Sequence, residues 1–343
     1  MKHERRPTLR EVARRAGVGV MTVSRVINNH ASVQPSTRKK VEAAILHLGY
    51  QQNEAARLLK GQRAKIIGLI VPDLSDLFFA SCAQTVQHIA RSHGYMTLIA
   101  SSDRDANLER AEAELMASRM ISGLLIATSE NGENEWLRKL QGPGLSIVGF
   151  DRPLLGTDAS SVLAENRIGA EQAIQHLMDH GHKRIACVGY DEAVHPVSER
   201  IAGYTHHMYA AGLQPQVASG LADLDAIRHW LAGVLASANP PTAIFSLNNR
   251  TSTFLLQALA EQLVRVPEEI ALVGFDDFDL ASLMQPPLTT VAQSPVDLAR
   301  QSINLLLELI RTQKNPDAGS SALKIFLPSR LIVRSSCGAH KTG

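Results

Sequence analysis

The first fifty residues contain three short segments in which apolar residues recur every three or four positions. Such spacing places the apolar side chains on one face of a helix. The predicted helices begin at Thr8, near Val20 and at Pro35. Their apolar faces comprise Leu9, Val12, Ala13 and Ala16, then Val23, Val26 and Ile27, then Val41, Ala44, Ile45 and Leu48. The pattern therefore predicts a small three-helix domain.

The start of the first predicted helix and the turn that follows it both have recognisable sequence signals. Thr8 and Glu11 form a capping box, in which each side chain accepts a hydrogen bond from the other residue's amide. Gly17 suits a sharp turn because glycine adopts a positive φ without strain. Two short helices joined in this way predict a helix-turn-helix. The second helix leaves the following residues facing outward: Val20, Met21, Ser24, Arg25 and Asn28.

From residue 66 onward, short apolar runs alternate with amphipathic segments of helical length. The predicted strands are 66–71, 97–100, 123–127, 146–150, 184–188, 242–246 and 270–275. The predicted helices are 82–93, 108–120, 201–211, 226–235 and 251–263. This alternation indicates parallel sheets covered by helices on both faces.

One short sequence occurs twice in this alternating region. Residues 147–151 (IVGFD) recur as residues 272–276 (LVGFD), and each copy closes one round of strands and helices. The repeat predicts two similar subdomains. In open parallel sheets, ligands bind beyond the carboxyl ends of the strands, so Asp151 and Asp276 are predicted to face each other across a cleft. Alternatively, each aspartate simply caps the turn that follows it.

The charge of the chain is divided unevenly along its length. Residues 1–65 carry 14 Lys and Arg against 4 Asp and Glu, a net charge of +10, whereas the remaining residues carry a net charge of −8. A localised basic surface suits DNA, since ion pairs with phosphates release condensed counterions. A solvated basic tail is the alternative, but here the charges are interleaved with periodic apolar residues, which predicts a folded segment.

Length and cysteine content narrow the class of protein further. A chain of 343 residues is long enough for two or three domains. It has no apolar run near the roughly 20 residues of a membrane span. Its N-terminus has no apolar signal segment, so we expect a cytoplasmic protein. Cys82, Cys187 and Cys337 are too few and too far apart to predict a disulfide framework or a zinc cluster.

An enzyme or a metal protein is the competing interpretation. His176, His180 and His182 suggest a metal site, because residues four apart share a helix face. They lack a nearby carboxylate pattern, and residues 181–182 read as a helix end. Residues 144–149 miss the nucleophile-elbow spacing by one residue, and no nucleophile is paired with a base. We therefore predict no enzyme, no cofactor and no metal site.

With these motifs assembled, the chain resembles the LacI/GalR family of bacterial transcription regulators over almost its whole length. The resemblance rests on residues 8–13 (TLREVA), 22–29 (TVSRVINN), 38–44 (RKKVEAA) and 48–53 (LGYQQN) in the N-terminal region, and on 67–72 (IGLIVP), 93–95 (HGY), 181–185 (GHKRI), 200–204 (RIAGY) and 273–277 (VGFDD) beyond it. It implies an all-α helix-turn-helix head followed by an α/β core. That core would consist of two doubly wound parallel-sheet subdomains like those of periplasmic binding proteins.

The resemblance also implies domain boundaries. Residues 1–52 would form the DNA-binding head, and residues 53–63 a hinge that includes the short helix-prone stretch 53–61. The core would span residues 64–343. Its N-subdomain would comprise about 64–163 and 294–323, and its C-subdomain about 164–292 and 325–343. From the residues alone, the stretch 53–61 could equally be a frayed linker.

Carried over position by position, the resemblance assigns DNA contacts. Val20, Met21 and Arg25 fall on base-reading positions. Leu59 falls on the leucine that wedges into the minor groove and kinks the duplex. The positions that contact phosphates correspond to Thr8, Thr22, Ser24, Asn28, Tyr50 and Asn53. The expected partner is a pseudo-palindromic operator bound by a homodimer. The absence of a leucine heptad after residue 336 favours a dimer over a tetramer.

The resemblance further implies a cleft for a small effector that controls the affinity for DNA. The matching positions are Asp73, Phe79, Asp151, Arg200, Asn248 and Asp276. An aromatic surface beside carboxylate, amide and guanidinium groups suits a hydroxylated ligand, so the expected effector is a sugar or, given Arg152, a sugar acid. A nucleobase-responsive repressor is the alternative on the same scaffold, and a sugar-binding protein without a DNA function is another. Two departures fall near this cleft: Asp76-Leu77 replaces a common Asn-Pro, and Asn249 replaces a usual aspartate.

Overall fold

A computed structural model describes residues 7–27, 30, 32–50, 63–129, 132–141, 144–312 and 322–338. The chain divides into two compact units, residues 1–64 and residues 65–343. The predicted hinge at 53–63 lies almost wholly outside the described residues. Within the described residues, no helix is long and apolar enough to cross a membrane.

The head is the three-helix domain that the sequence predicts. Its helices are α1 (Leu9–Ala16), α2 (Val20–Ile27) and α3 (Pro35–Leu48). The capping box is present, with the Thr8 amide donating to Glu11 Oε2 at 2.6 Å and the Glu11 amide donating to Thr8 Oγ1 at 3.4 Å. Gly17 and Gly49 follow α1 and α3 with φ angles of 66° and 61°, as left-handed helix ends require.

The core contains two six-stranded sheets, of which the first occupies mainly the amino-terminal half. Its strands are β1 (Ala64–Val71), β2 (Met96–Ser101), β3 (Ile121–Ile126), β4 (Ser146–Phe150), β5 (Ser160–Ala164) and β11 (Lys324–Leu327), in the order β2-β1-β3-β4-β5-β11. Helices α4 (Leu77–Ser92) and α11 (Pro295–Thr312) cover one face. Helices α5 (Ala106–Ser118) and α6 (Glu135–Leu140) cover the other. The central strands β3 and β4 are buried on both faces, which explains their largely apolar sequences, whereas the edge strands β2 and β11 are partly exposed.

The second sheet repeats this plan. Its strands are β6 (Ile185–Val188), β7 (Gln216–Ala218), β8 (Ala243–Ser246), β9 (Ala271–Phe275), β10 (Thr289–Ala292) and β12 (Arg330–Ile332), in the order β7-β6-β8-β9-β10-β12. Helices α7 (Asn166–Asp179) and α8 (His195–Ala210) cover one face, and α9 (Leu224–Leu235) and α10 (Asn249–Glu261) the other. A short 3₁₀ helix spans Asp279–Ser282. The order of the first five strands is the same in both sheets, so the sequence repeat reflects a repeated fold.

The chain passes between the two sheets three times. It crosses after β5 at residue 165, after β10 at residues 293–294 and after β11 at residues 328–329. The predicted subdomain boundary at residue 323 requires a correction. Lys324–Leu327 pairs with β5 in the first sheet, and the switch to the second sheet follows it. The backbone hydrogen bonds offered by the edge strand β5 explain this placement.

Candidate nucleic-acid interface and ligand cleft

The outward face of α2 is the candidate nucleic-acid interface of the head. Met21 is 71% exposed and Val20 is 41% exposed, and Arg25 is also exposed. Val23 and Val26 on the opposite side are buried in the core of the head. The buried apolar face and the exposure of Val20, Met21 and Arg25 agree with the sequence prediction, whereas Ser24, also predicted to face outward, is half-buried. Exposed apolar side chains beside an arginine suit the major groove, which displays thymine methyl groups and the acceptor atoms of guanine.

The residues predicted to contact phosphates differ from one another in exposure and in their contacts. Thr22 and Ser24 are half-buried on α2, and Thr8 is exposed with its hydroxyl in the capping box. Tyr50 packs against the core of the head, and burial raises the pKa of its phenol. Three further predicted contacts lie outside the described residues: Asn28, Asn53 and Leu59. Their roles at the phosphates and in the minor groove stay predictions.

Asp151 and Asp276 occupy equivalent backbone positions in the two sheets. Each follows the fourth strand of its sheet, with φ angles of 63° and 68°. The Asp151 amide donates to Val162 O at 3.0 Å, and the Asp276 amide donates to Val291 O at 2.9 Å, in each case across to the neighbouring strand. Aspartate tolerates this left-handed conformation better than most residues. Both side chains line the same cavity between the sheets, as the repeat predicts.

Arg200, which is buried, forms an ion pair in this cleft with Asp276, whose side chain is 13% exposed. The two terminal nitrogens of Arg200 donate to the two carboxylate oxygens of Asp276 at 3.2 and 3.3 Å. The guanidinium, 3% exposed in the side chain, also donates to Asn166 Oδ1 at 2.8 Å and to Leu247 O at 2.6 Å. It lies 3.7 Å from the centre of the Phe275 ring. These contacts fix Arg200 in place, because four hydrogen bonds to three partners leave a guanidinium little freedom to turn.

The cavity around this ion pair is small. Its volume is about 40 Å³, room for roughly three water molecules at about 10–15 Å³ each. Five of the predicted effector positions line it: Phe79, Asp151, Arg200, Asn248 and Asp276. A larger open space of about 640 Å³ adjoins it and shares Phe78, Asp276 and Gln293. In the described conformation, the inner cavity is therefore smaller than a sugar ring requires.

Asp73, the sixth predicted effector position, is not among the residues that line the cavity. Its carboxylate accepts hydrogen bonds from the amide and the hydroxyl of Ser75 and pairs with Arg104 at 2.9 Å. These contacts stabilise the turn between β1 and α4. The neighbouring Asp76 lines the cavity instead. The sequence could not distinguish the two, because both precede α4 by a few residues.

Asn248 has a structural role as well as a place in the cavity. Its side-chain oxygen accepts from the amide of Thr251 at 2.7 Å and caps the N-terminus of α10. Asparagine is among the preferred residues for this role. Its position at the helix start therefore has an explanation that is independent of any ligand.

The carboxyl group of Asp151 has a raised pKa. Burial raises its pKa to about 6, although the positive charges of Arg152 and Arg200 act in the opposite direction. The Arg152 Nε atom lies 3.6 Å from Asp151 Oδ2, longer than a hydrogen bond, and the guanidinium donates to Thr128 O at 2.7 Å. The cleft thus contains one aspartate in a hydrogen-bonded ion pair and one that titrates close to neutral pH.

Comparison with known proteins identifies this arrangement. A model of the bacterial regulatory proteins of the lacI family matches residues 8–53, and a periplasmic binding protein-like domain matches residues 174–337. The HTH-type transcriptional regulator DegA of Bacillus subtilis is 31% identical over 345 residues, which cover 98% of this chain and 99% of that protein. The chain belongs to the lacI family of bacterial regulatory proteins.

Other members of the lacI family agree with this assignment. The HTH-type transcriptional repressor CytR of Escherichia coli K12 is 30% identical over 98% of both chains. A lac repressor dimer bound to operator and the anti-inducer ONPF superposes with a TM-score of 0.80 and 25% identity, over 98% of this chain and 100% of that one. A complex of the transcriptional regulator CelR with cellobiose gives a TM-score of 0.69 and 29% identity, over 96% of this chain and 100% of that one. This lacI-family protein is a DNA-binding transcriptional regulator, and its two-sheet core is an effector-binding scaffold.

Several cleft residues of this regulator are not among the positions predicted from its sequence. Tyr190 follows β6 and Gln293 follows β10, so both stand at the carboxyl ends of strands. Gln293 donates to Asp276 Oδ1 at 2.7 Å. The strand order could have predicted both residues, because every loop at the carboxyl ends of the strands is a candidate part of a ligand-binding site. Asp76 is the third residue, and Asn249 donates to its Oδ1 at 3.4 Å across the cleft.

Proposed function

We propose that this regulator is a homodimeric repressor of carbohydrate-utilisation genes, whose affinity for its operator is set by a small hydroxylated effector in the cleft. The observation that carries the proposal is the convergence of Asp151, Arg200 and Asp276 in one cavity between two equivalent sheets. A ligand that contacts all three groups bridges the sheets, and such a ligand is sensitive to the distance between them.

The chemistry of the lining favours a sugar. Carboxylates and a guanidinium bind vicinal hydroxyl groups through paired hydrogen bonds, and Phe79 offers an apolar surface to the C–H face of a ring. Arg152, buried beside Asp151, favours an acidic derivative of a sugar. The cellobiose complex of the related CelR supports this class of ligand. Nucleobases form the alternative class in the screen described below.

The size of the cavity indicates how the ligand acts. A space of about 40 Å³ must widen before a sugar enters it. The effector then binds the wider conformation more tightly and increases its population, since a ligand shifts an equilibrium only through unequal affinities. The three crossings between the sheets, at residue 165, residues 293–294 and residues 328–329, are the positions about which this motion occurs. Residues 53–63 connect the core to the head in sequence and transmit the change.

Binding to the operator tests the role of the head. The operator is first selected from random DNA with the purified full-length protein. Arg25→Ala should weaken binding to that operator by about 1–3 kcal/mol if Arg25 contacts a guanine through two hydrogen bonds. Binding to random duplexes should change much less. An equal loss on both kinds of DNA would show that Arg25 contacts phosphate only.

The apolar pair on α2 has a test of its own. Val20 and Met21 lack hydrogen-bonding groups and are expected to contact thymine methyl groups. An operator with uracil in place of thymine should bind more weakly. Unchanged affinity would remove this contact from the proposal.

A thermal-shift screen of sugars, sugar acids and nucleobases tests the cleft. A ligand that binds only the folded protein raises its apparent stability. Asp276→Asn keeps the shape of the side chain and should weaken the effector by about 10–100-fold, since a hydrogen bond to a charged group contributes about 1.5–3 kcal/mol. Asp73→Asn is the matched control, because Asp73 does not line the cavity. Equal responses in both variants would place the effector elsewhere.

A further inference from the structure

Three side chains with metal-binding atoms meet on the second sheet, away from the cleft. His176 and His180 stand one turn apart at the end of α7, and Cys337 follows β12 near the end of the described chain. Their candidate ligand atoms all lie within 4.8 Å of one another. The sequence prediction of no metal site considered His182 as the third member. The structure instead places His182 against Thr242, with a 3.0 Å contact between Nδ1 and Oγ1.

A hydrogen bond within the cluster orients the His180 ring for binding a metal. His180 Nδ1 lies 2.8 Å from the carbonyl oxygen of His176, and a carbonyl only accepts, so Nδ1 carries the proton. In neutral His180, Nε2 then holds a lone pair. Histidines that bind metals commonly donate their other ring N–H to a backbone carbonyl in this way, which fixes the tautomer and the orientation of the ring.

The thiol of Cys337 is directed at the same point. Its Sγ atom lies 2.9 Å from His176 Nε2 and 3.3 Å from Thr289 Oγ1. Cys337 is 2% exposed, whereas both imidazoles are half-buried. A sulfur and two ring nitrogens that converge from separate elements form a mixed set of soft and borderline ligands, which suits zinc.

We propose that His176, His180 and Cys337 bind a zinc ion, with a water molecule in the fourth position. Bonds of about 2.0–2.1 Å to nitrogen and 2.3 Å to sulfur in a tetrahedron separate the ligand atoms by roughly 3.3–3.6 Å. The pair of His176 and Cys337 must therefore open by a few tenths of an ångström, and the cluster must contract from its 4.8 Å limit. Both movements are within the reach of side-chain rotation.

The bound ion would attach the last described segment of the chain to α7. Ser336 already donates to Leu272 O at 2.6 Å and accepts from the amide of Thr289 at 2.8 Å. Zinc would add a link between this segment and a helix more than 150 positions earlier in the sequence. We therefore assign the ion a structural role at the edge of the second sheet that is opposite to the effector cleft.

Cobalt(II) is the probe for this site, because its absorption spectrum reports both sulfur ligation and tetrahedral geometry. The full-length protein, stripped with a chelator, is titrated with cobalt and then with zinc. We expect one equivalent of cobalt, a sulfur-to-cobalt charge-transfer band and displacement by zinc. Zinc should also raise the melting temperature of the stripped protein.

Three variants assign the ligands. Cys337→Ser should abolish the charge-transfer band. His180→Gln should weaken metal binding by at least about 100-fold, because losing even an outer partner of a ligand costs about 10–100-fold. His182→Gln is the matched control and should bind cobalt as the unchanged protein does. The proposal is overturned if the stripped protein shows no charge-transfer band, or if Cys337→Ser and His180→Gln bind cobalt as tightly as the control. The contact between His176 and Cys337 is then only a hydrogen bond.

Discussion

The carboxyl ends of the two sheets differ in electrostatics although they share one backbone plan. Asp151 and Asp276 follow equivalent strands with the same left-handed conformation and equivalent backbone hydrogen bonds. Asp276 accepts from Arg200 and from Gln293, whereas Asp151 has an arginine beside it without a hydrogen bond. The repeated fold therefore determines where each aspartate lies, whereas the side chains around it determine which hydrogen bonds it makes.

This difference suits the proposed role of the cleft. Hydrogen bonds from Arg200 and Gln293 hold the Asp276 carboxylate in a fixed direction, and a pre-positioned group loses little freedom when a ligand binds. An aspartate with a pKa of about 6 can instead donate as an acid or accept as a carboxylate within the physiological range. The second half of the core therefore provides the constant part of the site, which is Asp276 held by its hydrogen bonds. The first half provides the adjustable part, which is Asp151 with its raised pKa.

The largest expected effect on stability comes from breaking the ion pair between Arg200 and Asp276 in the constant part of the site. Arg200→Ala leaves the Asp276 carboxylate, which is only 13% exposed, without its guanidinium partner and should cost up to about 3–5 kcal/mol of unfolding free energy. Arg104→Ala is the control, since Arg104 pairs with Asp73 at a position that is 40% exposed. An exposed pair contributes about 0–1 kcal/mol. Equilibrium unfolding in urea measures both losses, and similar values would refute the distinction between the two pairs.

The repeat shows how much of the core was accessible from the sequence. The predicted strands at 146–150 and 270–275 agree with β4 and β9 to within one residue, because their apolar side chains are buried on both faces. The strands that follow them, β5 and β10, were not predicted. They begin with polar residues that are nevertheless buried: Ser160, Ser161, Thr289 and Thr290.

The partners of these hydroxyl groups explain the omission. Ser160 Oγ accepts from the amide of Leu323, and Thr290 Oγ1 donates to Asp277 at 2.7 Å. A buried hydroxyl is acceptable only when it is hydrogen-bonded, and these partners lie 163 and 13 positions away along the chain. The hydropathy pattern of the sequence therefore does not reveal these hydrogen-bond partners. The proposed zinc ligands could not be recognised from the sequence for the same reason, because Cys337 comes close to the two histidines only in the folded chain.

The stability of the protein should depend on pH through Asp151, the adjustable part of the site. The folded pKa of Asp151, about 6, exceeds that of an unfolded aspartate, about 3.9, so the folded protein binds more protons between these values. The stability contributed by this group is therefore present below about pH 4 and is lost as the pH rises through 6. Asp151→Asn removes that loss. Its stability should equal that of the unchanged protein near pH 4 and exceed it at pH 7 by on the order of 3 kcal/mol.

A control of opposite sign is available at Asp73. The pKa of Asp73 is lowered, because hydrogen bonds from Ser75 and the charge of Arg104 outweigh the effect of burial. The advantage of the unchanged protein over Asp73→Asn should therefore grow as the pH rises through that lowered pKa. Unfolding curves from about pH 2 to about pH 8 compare the two variants, because the change for Asp73 falls below the ordinary pKa of an aspartate, about 3.9, and the change for Asp151 lies above it. If the difference between Asp151→Asn and the unchanged protein were independent of pH, Asp151 would be fully ionised throughout.

The smallest expected effect tests a contact that joins the two halves. Asn249 Nδ2 donates to Asp76 Oδ1 at 3.4 Å across the cleft. Asn249→Asp alone places two carboxylates in contact and should destabilise the protein. Adding Asp76→Asn restores an amide opposite a carboxylate. Asp76 also caps α4, and asparagine is as good an N-cap as aspartate, so the exchange isolates the cross-cleft contact. A double-mutant cycle should give a coupling free energy of about 0.5–1 kcal/mol, and a value near zero would mean that the two residues act independently.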